Sequence, residues 1–244
     1  MREKFNRIED TQEVNIEVYL DAKEYKELNP WIFSVFIKYD AYNEPDDGLD
    51  NFFEIKESLI ITLEYETKAK YVGNRLVGDW SEIYFYAPDS KNLDVITAKI
   101  LKPTGYIYES NVARDKDWEF FEYNIFPTDL ELALMQSAKI VALLEEEGDD
   151  ISILREVEHY ASFETSSQKD RFIDKVTHAG FKFKDDISSE EFDNGVALIK
   201  EHNVTIDELH KVIAKLMLLI KDERGEYELW STIIQDDNIT ESQL

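Results

Sequence analysis

The chain has 244 residues, 43% of them hydrophobic and 13% aromatic, which is enough apolar material for two compact domains of roughly 100 to 150 residues each. Its 53 acidic and 27 basic side chains give a net charge of -26 at pH 7, and this charge repels nucleic acids and anionic membranes at long range. The chain contains no cysteine, which excludes disulfide bonds, thiolate nucleophiles and cysteine metal ligands.

No part of the sequence has the apolar run of a secretion signal or of a membrane span, which needs about 18 uncharged apolar residues. We therefore expect a cytoplasmic protein that binds neither a membrane nor a nucleic acid directly.

Hydrophobic periodicity divides the N-terminal half into strands with a period of two and helices with a period near 3.6. The predicted strands are 13–20, 31–39, 82–86 and 105–108, and the predicted helices are 52–68 and 93–101. The first two strands follow each other with a short polar connection, which predicts a hairpin. Turn-forming residues at 43–48 end the second of these strands.

An aromatic-rich segment follows, in which Trp118 and Phe121 have the spacing of a short helix held to the domain by its rings. Thr128 and Glu131 then form a capping-box pattern, which predicts the start of another helix. An acidic run with one glycine at 145–150 is typical of an interdomain linker. The chain is thus predicted to divide at this run.

The C-terminal half has a regular order of elements after this run. The predicted strands are 157–163, 181–183, 195–200 and 227–234, the predicted helices follow capping-box patterns at 165–168 and 205–208, and the tail at 235–244 is polar and expected to fray. The order strand, helix, strand, strand, helix, strand predicts a ferredoxin-like sheet with two helices on one face.

The fold class is therefore α+β, with two domains in which helices pack on an antiparallel sheet. The predicted N-terminal domain covers residues 1–147, and the predicted ferredoxin-like domain covers residues 153–236.

Histidine, carboxylate and glycine patterns give no sign of catalysis. His202 and His210 are eight residues apart, whereas a helical zinc pair needs a separation of four. His159 lies near Glu158, but neighbours on a strand point to opposite faces and so do not bind one ion together. The glycine motifs of nucleotide-binding proteins and hydrolases are missing from the sequence. We expect no metal, no cofactor and no catalytic residue.

Aromatic side chains are the remaining signal for binding. The candidates for a partner surface are His159, Tyr160, Tyr227 and Trp230, because an exposed aromatic pair on an open sheet face makes a protein-binding surface. Tyr160 on the first strand and Trp230 on the last are candidates for that open face, but core packing is the favoured explanation for these rings.

Two stretches resemble known families. The segments 155–163, 179–181 and 225–230 resemble the regulator of ribonuclease E activity B family over roughly residues 153–235, although the family usually has Asp-Gly where this chain has Glu228 and Leu229. The segment 117–127 resembles the uncharacterised domain-of-unknown-function family 695, over roughly residues 12–145. The first resemblance implies a ferredoxin-like domain in an acidic, non-catalytic protein that binds ribonuclease E and inhibits RNA processing.

These observations favour a non-catalytic regulatory protein that binds a partner with a basic surface, and the family resemblance implies that this partner is a ribonuclease. One alternative is an enzyme or small-ligand binder with a site between the two domains, to which His159 or the aromatic cluster of Trp118 and Phe121 would contribute. Another is a structural role through dimerisation across open sheet faces. The sequence leaves the oligomeric state and the identity of the partner open.

Overall fold

A computed structural model describes residues 1–39, 46–190 and 192–235, with only the backbone described for residues 46–50. The chain separates into two compact units, Met1–Pro127 and Thr128–Leu244. Each unit contains helices and one antiparallel sheet, which confirms the predicted α+β class. Residues 43–45 of the predicted turn and residues 236–244 of the predicted tail lie outside the described residues, whereas residues 46–48 of that turn begin a helix.

The N-terminal unit is built on a six-stranded sheet. Its strands are β1 (Arg2–Glu9), β2 (Gln12–Tyr19), β3 (Trp31–Lys38), β4 (Lys70–Val77), β5 (Trp80–Ala87) and β6 (Tyr108–Arg114), in the order β1-β2-β4-β5-β3-β6. The predicted hairpin of the second and third strands is wrong, because β2 pairs with β1 and β4 whereas β3 pairs with β5 and β6. The strands β1 and β4, which the periodicity analysis missed, carry polar residues at many positions.

Two helices cover part of this sheet. The helices are α1 (Asp46–Thr67) and α2 (Leu93–Leu101), close to the predicted bounds. Apolar residues of α1 and α2 form one buried cluster with residues of β3, β4 and β5. The sequence predicted these helices correctly because each has an apolar stripe of helical period.

The C-terminal unit is built on a four-stranded sheet with three helices. Its elements are α3 (Asp129–Glu146), β7 (Arg155–Phe163), α4 (Ser166–His178), β8 (Lys182–Ile187), β9 (Asn194–His202), α5 (Ile206–Asp222) and β10 (Glu226–Thr232). The sheet order is β10-β7-β9-β8, with every neighbouring pair antiparallel. From β7 onward this is the ferredoxin-like arrangement that the element order predicts.

The structure places α3 in the C-terminal unit, whereas the sequence analysis assigned it to the N-terminal domain. Val141 and Leu144 of α3 are buried with Leu209, Ile213 and Trp230 in one apolar cluster. The acidic run at 145–150 is thus a connection within one unit and not an interdomain linker.

An ion pair fixes this connection to the start of β7. The Arg155 guanidinium donates to the Asp149 carboxylate at 2.7 Å, and both side chains are almost completely buried. The same carboxylate accepts a hydrogen bond of 2.9 Å from the backbone N–H of Gln235. Acidity at residues 145–150 had suggested a solvated linker, but Asp149 is neutralised and buried by a partner six residues away.

Two of the three predicted capping boxes are present. The side chains of Thr128 and Thr165 each accept a hydrogen bond from the backbone N–H of the third helical residue, whose own side chain accepts one from the threonine N–H. Thr205 makes no such bond at the start of α5; its hydroxyl donates instead to the Asn203 side chain at 2.7 Å. In the described part of the chain, no helix combines the length and apolar character needed to cross a membrane.

Candidate partner-binding site

Alternation along β7 divides its side chains between two environments. Val157, Ala161 and Phe163 are buried, and Ala161 and Phe163 pack in a cluster that includes residues of α4 and α5. Glu156 and Tyr160 point to the other side of the sheet, where their side chains are exposed and half-buried, respectively. We call this second side of the C-terminal sheet the open face.

The middle of the open face is apolar and aromatic. Tyr160 lies opposite Leu229 on β10 and opposite Ala197 on β9, and Ile199 is the next residue of β9 on the same side. The hydroxyl of Tyr160 donates to Glu158 at 3.0 Å and contacts the Ser231 hydroxyl at 2.8 Å. Because both hydrogen bonds lie within the face, the ring of Tyr160 is held in place before any partner binds.

Charged side chains surround this apolar centre, and most of them are acidic. Cross-strand registers place six charged residues on the open face, Glu156, Glu158, Lys182, Asp185, Glu201 and Glu226. Two residues at bulges join them through side-chain contacts, Lys184 with Glu158 and Glu228 with Ser162. Six of the eight are carboxylates. Lys184 forms an ion pair with Glu158, and this contact lowers the pKa of the Glu158 carboxyl below its ordinary value.

Two of the carboxylates face each other directly. Glu156 of β7 and Glu201 of β9 are cross-strand partners, and both side chains are exposed. Neither makes an ion pair with any other described residue. Like charges placed directly opposite each other in a sheet destabilise it, so this pair is not explained by the stability of the fold.

Trp230 does not lie on the open face but is buried in the core, which is the explanation favoured from the sequence. A β-bulge between Tyr227 and Leu229 places Leu229 opposite Tyr160 and turns Trp230 to the helix side, opposite His159. Trp230 is 1% exposed, and its indole N–H donates to the Ser137 hydroxyl of α3 at 2.9 Å. Of the two rings considered for this face, only Tyr160 lies there.

His159 and Tyr227 belong to a buried polar chain on the helix side. The His159 ring lies 3.1 Å from the Tyr227 hydroxyl through Nδ1 and 3.0 Å from His202 Nε2 through its own Nε2. His202 Nδ1 lies 2.6 Å from the Asn203 carbonyl, which only accepts. His202 therefore carries its proton on Nδ1, so His159 Nε2 donates to it and Tyr227 donates to His159 Nδ1.

This chain of hydrogen bonds requires both imidazoles to be neutral. Burial, followed by repulsion from His202 and Lys200, lowers the pKa of His159 to about 3. Burial also lowers the pKa of His202. The sequence analysis considered His202 with His210, which is exposed on α5, and missed the pair with His159 because the strand register joins residues 43 positions apart.

Trp118 and Phe121 are fully buried within the N-terminal unit. The Trp118 ring stacks on Tyr86 with centroids 3.9 Å apart, and its N–H donates to the Asn29 carbonyl at 2.8 Å. Phe121 begins a π-helical turn, Phe121–Ile125, where a short helix was predicted. Their positions explain both rings as packing of this unit, and a ligand role for them stays untested.

Glu201 and Ser231 were not singled out from the sequence, and Leu229 was noted only for its departure from the family pattern. Each joins the open face only through strand pairing, so no local pattern identifies it. The departure of Leu229 from the usual family glycine was the one sequence signal at these positions. In the described ranges of the chain, no three histidine or carboxylate side chains come together as a metal-binding group.

Each unit of the chain matches the model of a known protein family. Residues 134–232 match the family model Regulator of ribonuclease activity B. Residues 5–124 match the model of a family of unknown function, number 695 in its series. Both resemblances predicted from the sequence are confirmed, in the same order along the chain. The first match begins within α3, in agreement with the position of that helix in the C-terminal unit.

Other comparisons add little to these two matches. A crystal structure of an unknown protein from Galdieria sulphuraria aligns with 84% of this chain and 99% of its own, at 9% identity and a TM-score of 0.21. This score is too low to bear on the fold. The search of curated proteins returned no match.

Proposed function

We propose that this protein regulates a ribonuclease by binding it, without catalysing a reaction itself, and that the open face of the C-terminal sheet makes the contact. The family match to regulators of ribonuclease activity carries the proposal. The exposed surface chemistry of the matched domain supports it, because the open face combines an apolar centre with a charged rim.

The rim indicates a basic partner. Six carboxylates against two ammonium groups make the face strongly negative, in a protein whose net charge is -26. A basic protein surface is attracted to such a face at long range, whereas the phosphates of RNA are repelled. The contact is therefore proposed to be with the ribonuclease and not with its substrate, in the cytoplasm where RNA is processed.

Tyr160 is the expected centre of the contact. Aromatic residues at the centre of an interface, surrounded by groups that exclude water, contribute much of the binding energy. Tyr160 meets this description because its ring lies beside Leu229 and its hydroxyl already has partners.

The pair Glu156 and Glu201 is the expected site for a lysine or arginine of the partner. In the free protein the two carboxylates repel each other across the strands. A cation bound between them removes this repulsion, so the same pair that weakens the fold strengthens the complex.

A charge-reversal experiment tests the proposal. The double variant Glu156→Lys/Glu201→Lys keeps a like-charged pair on the sheet and reverses its sign. We expect its affinity for the ribonuclease to fall about tenfold or more, which corresponds to a loss of about 1.4 kcal/mol in binding free energy. The affinity of the original protein should itself fall with added salt. Binding is measured by titration with the purified ribonuclease, and the effect on RNA cleavage is measured in parallel.

The matched control is Asp170→Lys/Asp174→Lys. These two exposed residues of α4 are also a like-charged pair, and α4 packs on the opposite side of the sheet. The control makes the same change in net charge. Equal loss of binding in both variants would show a general charge effect and contradict a contact at the open face. Failure of the unaltered protein to bind or modulate a ribonuclease would contradict the function itself.

A further inference from the structure

The strand β6 is an edge of the N-terminal sheet, and it is unusually open. Six of its seven residues are exposed, and only Tyr108 is half-buried. Its pairing with β3 is continuous from Tyr108 to Arg114, without a bulge. On its other side no described strand pairs with it.

The backbone groups that β6 turns outward can be identified from its ladder with β3. Lys38 N–H donates to the Ile107 carbonyl at 2.9 Å, and Asp115 N–H donates to the Pro30 carbonyl at 2.9 Å. Odd-numbered residues of β6 therefore face β3. By alternation, the even-numbered residues 108, 110, 112 and 114 direct their N–H and C=O groups away from the sheet. No described residue bonds to these outward groups.

The other described sheet edges carry features that discourage strand addition. β1 has charged side chains along its whole length, and β8 and β10 are each interrupted by a bulge. In β6 the four central residues, Ser-Asn-Val-Ala at 110–113, are uncharged and regular. Edges without charge, proline or bulge are templates for another strand.

We propose that β6 pairs with β6 of a second copy of this chain, antiparallel about a twofold axis at Asn111. This register pairs outward groups with outward groups, as an antiparallel ladder requires. It also uses all seven residues of the strand, because Tyr108 of one copy then lies opposite Arg114 of the other. Ser110 lies opposite Val112, and the two Asn111 side chains meet at the axis.

The charged side chains favour a twofold axis at Asn111 over an axis one residue further along, at Val112. At Asn111 the axis places each Glu109 opposite Ala113 and each Arg114 opposite an aromatic ring, which binds guanidinium groups well. With the axis at Val112, Glu109 would lie opposite Asp115, and like charges opposite each other weaken a sheet. The strand therefore matches itself better with the axis at Asn111 than with the axis at Val112.

The net charge of -26 opposes association of two copies, since each copy repels the other. Added salt screens this repulsion, so the dimer should become more stable as salt increases. The binding of a basic partner to the open face has the opposite salt dependence, and the two proposals therefore succeed or fail separately.

Sedimentation of the full chain over a concentration series, at about 50 mM and about 500 mM salt, tests the proposal. We expect a monomer–dimer equilibrium with a larger dimer fraction at the higher salt. The variant Ser110→Pro removes one outward N–H and leaves the ladder with β3 intact, so it should remain monomeric. Ser110→Ala, which keeps the N–H, should dimerise like the original chain.

Hydrogen exchange provides a second measurement that does not depend on a variant. Amides of residues 108–114 should exchange more slowly as the protein concentration rises. A monomer at every concentration and salt would overturn the proposal. Dimerisation of Ser110→Pro equal to that of Ser110→Ala, or exchange at 108–114 that is independent of concentration, would overturn pairing at this edge.

Discussion

At the scale of single residues, Gly225 shows how one side-chain atom can matter. A Cβ at this position would lie 2.3 Å from the buried ring of Phe163. We expect Gly225→Ala to destabilise the protein by about 2 kcal/mol, because the ring must shift within a packed core. The free energy of unfolding is measured by urea denaturation, and an unchanged m-value shows that only the stability has changed.

The double variant Phe163→Ala/Gly225→Ala is the control for this effect. Removal of the ring removes the larger part of the clash, although the Ser162 carbonyl, 2.6 Å from such a Cβ, remains. The two substitutions should therefore cost less together than the sum of their separate effects. Additive costs would mean that the glycine is needed for another reason.

His159 makes stability depend on pH. Its folded pKa of about 3 lies below the unfolded value of 6.5, so the unfolded chain binds a proton between these values and the folded chain does not. Stability is therefore complete above pH 6.5 and falls as the pH decreases. At pH 5 the loss from this residue should be about 2 kcal/mol.

Unfolding free energies measured at pH 7 and pH 5 check this expectation. His159→Gln should be less stable at pH 7, because Tyr227 and His202 lose their partner, and should lose less stability between the two pH values. If the variant lost as much stability between pH 7 and pH 5 as the original protein, the pH dependence would arise from other groups.

Core packing was the explanation favoured for both Tyr160 and Trp230, and it fits Trp230, whereas Tyr160 lies on the open face. Strict alternation along β7 correctly places Tyr160 opposite in direction to His159. In β10 the bulge after Tyr227 reverses the alternation, and no residue type there signals a bulge. The burial of Trp230 thus depends on strand pairing that a single sequence does not reveal.

At the scale of elements, the strand pair β7 and β9 carries an unfavourable contact. Glu201→Gln removes the repulsion between Glu201 and Glu156 and keeps the shape of the side chain. We expect this variant to stabilise the protein by about 0.5 kcal/mol and to weaken partner binding. Thermal and urea unfolding measure the first effect; a less stable variant would contradict the assigned repulsion.

The connection between α3 and β7 depends on the ion pair of Asp149 and Arg155. Asp149→Asn leaves a buried guanidinium without a counter-charge, and we expect a loss of about 3 kcal/mol. The double variant Asp149→Leu/Arg155→Met should recover most of this loss, since no buried charge remains. Urea unfolding of the three proteins tests both statements, and a double variant as unstable as the single one would contradict them.

Elements with strong local signals were predicted well, and their assembly was not. The capping box at Thr128 correctly marks the start of α3, yet nothing in its sequence states which sheet its apolar face covers. The strands β1 and β4 were missed because neither alternates regularly: β1 has few apolar residues, and β4 has its apolar residues in adjacent pairs, so both give a weak period-two signal. The element order alone was sufficient for the ferredoxin-like sheet, because few topologies satisfy that order.

At the scale of the whole molecule, net charge governs association. The charge of -26 favours a basic partner at low salt and opposes contacts between copies under the same conditions. Salt thus selects between the two proposed interactions, so each should be measured over a range of ionic strength.

The position of α3 determines where the chain can be divided. A fragment of residues 128–235 keeps the helix that covers Trp230, whereas a fragment of residues 153–235 exposes this indole to water. The fragment 128–235 should have blue-shifted tryptophan emission when folded and should unfold cooperatively. The fragment 153–235 should have red-shifted emission and should bind hydrophobic dyes. Limited proteolysis of the intact chain should likewise cut near Pro127 before it cuts within the acidic run that looks like a linker.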